Sequence, residues 1–289
     1  MRATVSEGIA PTLWQRELGK LLGALRAERK LTIEEVAEKL LCPPDRIRQL
    51  EAAADLPTEG NLRDLRTLLK LDDHANDQLT ELAREAKRQG WWAKYEDLGV
   101  PYIGLEEHAS SITTYTMHYF PALLQTGEYA RAIIKATGPR IEPRILSQRV
   151  EARLRRQRVL DRKTLRRYEV LLDEAVLHHP VGGRLVMSEQ LDKVLAAAQK
   201  SNVEIQILPF DRGTAVAQDS NFVLLHFDEP DLSPVVCIEG LTAFPVLEDK
   251  EDVDRYLETE GHLRQSALSV DDSIRRITQA RDTYRDIDV

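Results

Sequence analysis

From Gln15 to Leu69 one pattern is written four times: a short run of apolar residues at helical spacing, followed by a break. Leu18, Leu21, Leu22 and Leu25 recur at i, i+3, i+4 and i+7 and give one apolar face to a helix running from about Gln15 to Arg29. Thr32 then stands where a cap belongs, with Glu35 three residues later to complete a capping box. Val36, Ala37 and Leu40 supply the inner side of a second, shorter helix. Cys42-Pro43-Pro44 follows: the first proline pushes Cys42 out of helical geometry, and Pro44 suits the first position of a new helix because its missing N–H has no intrahelical partner there. In that third helix Ile47 and Leu50 face inward. After Asp55-Leu56-Pro57, the leucines Leu62, Leu65, Leu68 and Leu69 write a fourth. The prediction is a bundle of four or five short helices around one core.

Two short helices joined by a tight turn, the second with Arg and Gln on its outer side, have the dimensions that set a helix into the major groove of DNA. Asp45, Arg46, Arg48, Gln49 and Ala52 are left on the outer faces of the third helix. Arginine reads guanine there and glutamine reads adenine, so Arg46, Arg48 and Gln49 are the candidate base readers. Arg29, Thr32 and Lys39 are the candidate phosphate contacts. Double-stranded DNA is the expected partner. A homodimer on an inverted repeat is the expected form, because two reading helices on successive turns give an affinity that one cannot.

The run LRAERKLTIEEVAEKLLCPPDRIRQLEAAADLPTEGNLRDLRTLLKL resembles the Xre family of helix-turn-helix regulators, through Leu25, Arg26, Leu31, Thr32, Ala37, Leu40, Ile47, Leu50, Glu51, Pro57 and Leu62 in order. The resemblance implies sequence-specific DNA binding and transcriptional regulation. Three positions depart from the family's habit. Leu41 replaces the usual turn glycine, Pro43 replaces a capping Ser or Thr, and Asp45 puts an acid at the end of the helix that would approach phosphate. The segment from Gln15 to Ala75 also carries eleven Arg or Lys against twelve Asp or Glu, so it is close to neutral.

The whole chain of 289 residues has a formal charge of -8, which excludes a protein that coats nucleic acid by bulk electrostatics; any contact with phosphate must be local. No run of about eighteen uncharged apolar residues is present, and residues 1–13 lack the pattern of a secretory signal, so no membrane association and a cytoplasmic location are expected. Cys42 and Cys237 stand far apart with no ligand spacing beside them, which argues against a disulfide or a metal site. The length suits a small domain and a medium one. The division is an N-terminal arm at 1–14, the helix-turn-helix domain at 15–75, a connecting helix with the aromatic hinge Trp91-Trp92-Ala93-Lys94-Tyr95 at 76–100, and a regulatory or partner-binding α/β domain at 101–289. The fold class is α+β.

In the second domain Tyr168–Leu177, Val203–Pro209, Asn221–Phe227 and Val235–Glu239 have the composition and the flanks of strands. A helix from Ser188 to Gln199, capped by Ser188, separates the first two. The order implies one mixed sheet of roughly four strands flanked by helices. Helices are expected over 104–136 with a break near Pro121, and over 143–161, 249–266 and 270–285, the last capped by Ser269. The segments GWWAKYEDLGVPYIGLEEHASSITTYTMHYFPALLQTGEYARAII, LLDEAVLHHPVGG, VEIQILPF and CIEGL resemble the C-terminal domain of actinobacterial WhiJ-like regulators. That resemblance implies a small companion protein similar to BldB, in an arrangement likened to antitoxin and toxin.

Three local features invite a second reading. Between Arg140 and Arg167 lie eleven Arg or Lys and three acids, an excess of +8 that suits either flanking phosphate or, the favoured reading, a buried stripe with its arginines solvated or paired to the acidic C-terminal helices. His178-His179 before Pro180-Val181-Gly182-Gly183 reads as a turn rather than a metal site, because adjacent histidines on a strand point to opposite faces. Asp173-Glu174 with His226 could be imagined as an acid/base set. No nucleophile motif, phosphate loop or GxGxxG accompanies them, so no enzyme and no cofactor are expected. The alternatives kept open are a protein-interaction scaffold that has lost DNA binding and a C-terminal domain that binds a small-molecule signal or carries out a reaction.

Overall fold

The computed structural model describes residues 13–87, 90–95, 103–138, 140–212, 221–228, 232–239 and 245–286. The chain divides into two compact units, residues 1–94 and 95–289. The predicted N-terminal arm lies outside the described residues, apart from its last two positions.

Among the described residues the first unit has five α-helices, α1 (Leu13–Glu28), α2 (Ile33–Lys39), α3 (Pro44–Glu51), α4 (Glu59–Leu69) and α5 (Asp73–Ala86), and a single 3-10 turn at Trp91–Lys94. Leu18, Leu22 and Leu25 of α1, Val36 and Ala37 of α2, Ile47 and Leu50 of α3, and Leu62, Leu65 and Leu69 of α4 form one buried cluster. Leu79, Ala83 and Ala86 of α5 belong to the same cluster, so the helix read from sequence as a connector is a wall of this core.

The ends of these helices are built alike. Thr32 caps α2 in a reciprocal box with Glu35, as its spacing predicts. Thr58 caps α4 with Asn61 in the same way. Each of α1 to α4 closes in a Schellman turn whose left-handed residue is not glycine: Lys30, Leu41, Ala53 and Lys70, with φ of 56°, 52°, 57° and 47°. At the end of α2 the Leu41 N–H donates to the Glu38 carbonyl and the Cys42 N–H to the Ala37 carbonyl, which is the pair of bonds that motif requires.

The second unit is an α/β layer structure. Its elements are α6 (Ile103–His108), β1 (Ser111–Thr116), α7 (Gly127–Thr137), α8 (Pro143–Arg156), β2 (Arg167–Asp173), α9 (Ala175–His178), α10 (Arg184–Ala197), β3 (Val203–Leu208), β4 (Asn221–His226), β5 (Val235–Glu239), β6 (Val246–Leu247), α11 (Lys250–Ser266) and α12 (Val270–Arg285). The strands make one six-stranded mixed sheet in the order β3-β2-β1-β4-β5-β6. β1, β2 and β3 run parallel, with Ser111 opposite Arg167 and Tyr168 opposite Val203. β4, β5 and β6 continue the sheet antiparallel, beginning with Ser111 opposite His226. On one sheet face Tyr115, Leu171, Phe222, Leu224 and Val236 pack with Val253 and Leu263 of α11.

The fold class is the α+β arrangement expected, with a larger sheet than the four strands read from sequence. The missing central strand is β1, in the stretch assigned to a helix over 104–136. Its Thr113, Thr114 and Thr116 are buried, so no alternation of polar and apolar residues betrays it. The strand read as Tyr168–Leu177 stops at Asp173, after which Ala175–His178 makes one helical turn. The helix expected from a Ser188 cap starts at Arg184 behind Gly183, whose φ of 91° suits glycine, and Ser188 is buried within it. Ser269 caps α12 as predicted, its hydroxyl accepting from the Asp272 N–H.

Of the apolar stripe expected in the basic run, Leu146 and Val150 are buried but Leu154 is exposed, and several of its arginines pair with carboxylates other than those expected. Arg156 makes a buried bidentate pair with Glu106 of α6, at 2.9 and 2.7 Å. Arg162 faces Glu107, Arg166 pairs with Asp228, and Arg167 bridges Glu169 and Glu204. These acids come from α6, the sheet and the segment after β4, not from the C-terminal helices.

Candidate nucleic-acid interface

The third helix is positioned by its back. Ile47 and Leu50 bury into the bundle, and Gly19 of α1 lets the two helices meet closely: a Cβ there would come 2.5 Å from the Glu51 carbonyl oxygen. Glu51 at the end of α3 accepts a bidentate pair from Arg26 of α1, at 2.6 and 2.9 Å, and Arg26 also donates to the Leu31 carbonyl just ahead of α2. The Glu51 carboxylate holds the Arg26 guanidinium above its ordinary pKa. Two residues that the sequence offers only as parts of a family pattern are therefore one clamp, tying α1, the entry to α2 and the end of α3 together.

The front of α3 is an exposed stripe. Asp45, Arg48 and Gln49 of this eight-residue helix, with Ala52 as its C-cap, fall at i, i+3, i+4 and i+7, and all four face solvent. The candidate base readers divide on it. Arg48 stands on the stripe, held between two carboxylates: Nη1 lies 2.6 Å from Asp45 Oδ1, and Nη2 lies 2.9 Å from Glu34 Oε1 on α2. Gln49 is beside it and exposed. Arg46 points elsewhere. It pairs with Asp55 and donates to the Leu56 carbonyl at 3.1 Å, bracing the chain that leaves α3. The reason is its place in the helix turn, where residue 46 sits four before the buried Leu50, at the edge of the core.

The candidate phosphate contacts divide in the same way. Thr32 is exposed at the N-terminus of α2, its hydroxyl oxygen accepting from the Glu35 N–H. That end is also the positive end of a helix dipole. Lys39 is exposed at the other end of α2. Arg29 instead donates to the Leu69 carbonyl at 2.7 Å and to the Lys70 carbonyl at 3.4 Å, closing the C-terminus of α4. Glu34 was not singled out from sequence as part of this surface. No local spacing relates it to Arg48, fourteen residues away.

In the second unit the acid/base set does not assemble. Asp173 ends β2, whereas His226 on β4 lies opposite Ser111 of β1 and so, across that strand, is level with Arg167 at the start of β2. The two are a strand's length apart, about 20 Å. Glu174 is buried and engaged by Arg276, by the Phe210 N–H at 2.9 Å and by the nearby His178. His178 ends the single turn of α9 and stacks on Phe210. Among the described residues no three His, Cys, Asp or Glu converge as a metal site, and no helix is long and apolar enough to cross a membrane.

Residues 13–86 thus form a five-helix domain presenting a short exposed helix behind a tight turn, the architecture of the helix-turn-helix class, and the family model described as a helix-turn-helix domain matches residues 17–79. A second model, for a domain of unknown function (DUF5753), matches residues 101–279, and the chain belongs to that family. The two together are those of a DNA-binding regulator of the Xre-like kind. No match was found to a curated protein or to a solved structure.

Proposed function

We propose that this protein is a sequence-specific transcriptional regulator acting as a homodimer on chromosomal DNA in the cytoplasm, with α3 in the major groove and Arg48 and Gln49 reading bases. The observation that carries the reading is the exposed stripe of Asp45, Arg48, Gln49 and Ala52 on a helix braced from behind by the Arg26–Glu51 clamp. Thr32 and Lys39 serve as phosphate contacts, while Arg29 and Arg46 act through the fold.

The second unit is, on this reading, a binding module that takes a signal or a small companion protein and shifts the population of DNA-competent geometry. A companion similar to BldB follows from the WhiJ-like resemblance alone.

Selection of bound sequences from a random duplex pool by the full chain tests the proposal. A defined, inverted-repeat motif is expected. Arg48→Ala should cost about 1 to 3 kcal/mol and relax the preference at one base position. One observation favours the rival scaffold reading: Glu34 and Asp45 put two carboxylates at the surface that would meet phosphate. Failure of any sequence to enrich would overturn the regulator reading and favour that rival.

A further inference from the structure

Leu41 is the most exposed of the large apolar side chains among the described residues, at 93 %. It is the left-handed residue of the turn between α2 and α3, where glycine would be easier. The left-handed backbone alone does not set it apart, since Lys30, Ala53 and Lys70 hold the same place at the ends of three other helices. Their side chains are accounted for: the two lysines are polar and exposed, and Ala53 is buried. Leu41 contributes nothing to the core and holds an apolar group in water.

Its place gives that group a use. The chain leaves Leu41 through Cys42 and Pro43 straight into the N-terminus of α3, and Asp45, the first residue of the outer stripe, follows four positions on. The N-terminal residues of a recognition helix are those that meet base edges, so the turn preceding it travels to the same end of the groove. The floor of the major groove is polar except for one feature, the C5-methyl group of thymine.

We propose that Leu41 is a specificity residue that packs on a thymine methyl group at the edge of the sequence read by Arg48 and Gln49. The inference rests on the DNA-binding reading above.

The test uses the full chain and the duplex that it selects from a random pool. Each thymine of that duplex is replaced in turn by deoxyuridine, which lacks only the methyl group, and binding is compared for the native chain and for Leu41→Gly. Glycine is at home at this φ, so the variant folds, and its unfolding midpoint should rise. The native chain should lose about four-fold in affinity at one thymine of each half-site, the factor that one buried methyl group is worth. Leu41→Gly should bind the thymine and deoxyuridine duplexes equally. The inference is overturned if the native chain is indifferent to every replacement, or if Leu41→Gly keeps the native chain's sensitivity. Should the native chain select no sequence at all, the DNA-binding reading itself fails and takes this inference with it, an outcome visible before any deoxyuridine is introduced.

Discussion

Asp45→Asn should make the protein bind its DNA site more tightly while making the fold slightly less stable. In the free protein Arg48 is shared between Asp45 and Glu34, and the three side chains are 51 %, 83 % and 63 % exposed. Pairs this exposed are worth about 0.2 to 1 kcal/mol each. A base that takes the Arg48 guanidinium must break both. Replacing Asp45 by its neutral isostere leaves one pair to break and removes a negative charge from the end of α3 that approaches phosphate. Together these should tighten binding by about 0.5 to 1.5 kcal/mol, or roughly 2- to 12-fold. The fold loses the favourable placement of an acid in the first turn of α3, about 0.3 to 1 kcal/mol. Fluorescence anisotropy on the selected duplex at fixed salt measures the first effect, and a denaturation midpoint measures the second. The same comparison in an Arg48→Met background separates the two causes: the part due to releasing Arg48 disappears there, and the part due to charge persists. Unchanged or weaker binding by a folded Asp45→Asn protein would refute the reasoning, as would a gain of the same size with and without Arg48.

Three other substitutions probe the scaffold. Glu51→Gln breaks the Arg26 clamp and should destabilise the first unit by about 1 to 3 kcal/mol, seen as faster hydrogen exchange in α1 and α3, with DNA affinity falling in parallel. Glu106→Gln strands the Arg156 charge in the second unit and should cost about 3 to 5 kcal/mol in denaturant unfolding, whereas the double change Glu106→Leu with Arg156→Met should recover most of that loss. Burial lowers the pKa of His226, against the opposite pull of Glu260 and Glu169. The unfolded chain therefore takes up the proton first, and stability should fall as pH drops below about 6.5 toward the folded value. His226→Gln should flatten that decline between pH 7.5 and 5.5, as read from denaturant midpoints, if this histidine is its source.

How far the chain could be read ahead of its structure follows from the range of the forces concerned. The helices of the first unit, the Thr32 box and the Ser269 cap were legible because they depend on residues three or four apart: a leucine stripe, a hydroxyl facing an amide one turn on, a proline where an N–H is superfluous. The stripe of Asp45, Arg48 and Gln49 was legible for the same reason. Strand β1 was not, because a strand buried on both faces among satisfied threonines has no period to read, and its place beside β2 and β4 is settled by segments more than fifty residues away.

The work done by each arginine was likewise out of reach of the sequence. Arg26, Arg29, Arg46 and Arg48 look alike in a list, yet one clamps α1 to α3, one closes α4, one braces the loop after α3, and one remains at the surface between Asp45 and Glu34. A guanidinium goes to the nearest carboxylate or open helix end that packing brings within reach, and packing is fixed only when the helices meet. The sequence by itself determined that short helices would gather into a bundle with one face of α3 outward, since that needs only local periodicity. Tertiary structure alone decided which charges on that face stay at the surface, because Asp55 and the Leu56 carbonyl beyond the helix draw Arg46 aside, and Glu34 of α2 joins Asp45 in holding Arg48.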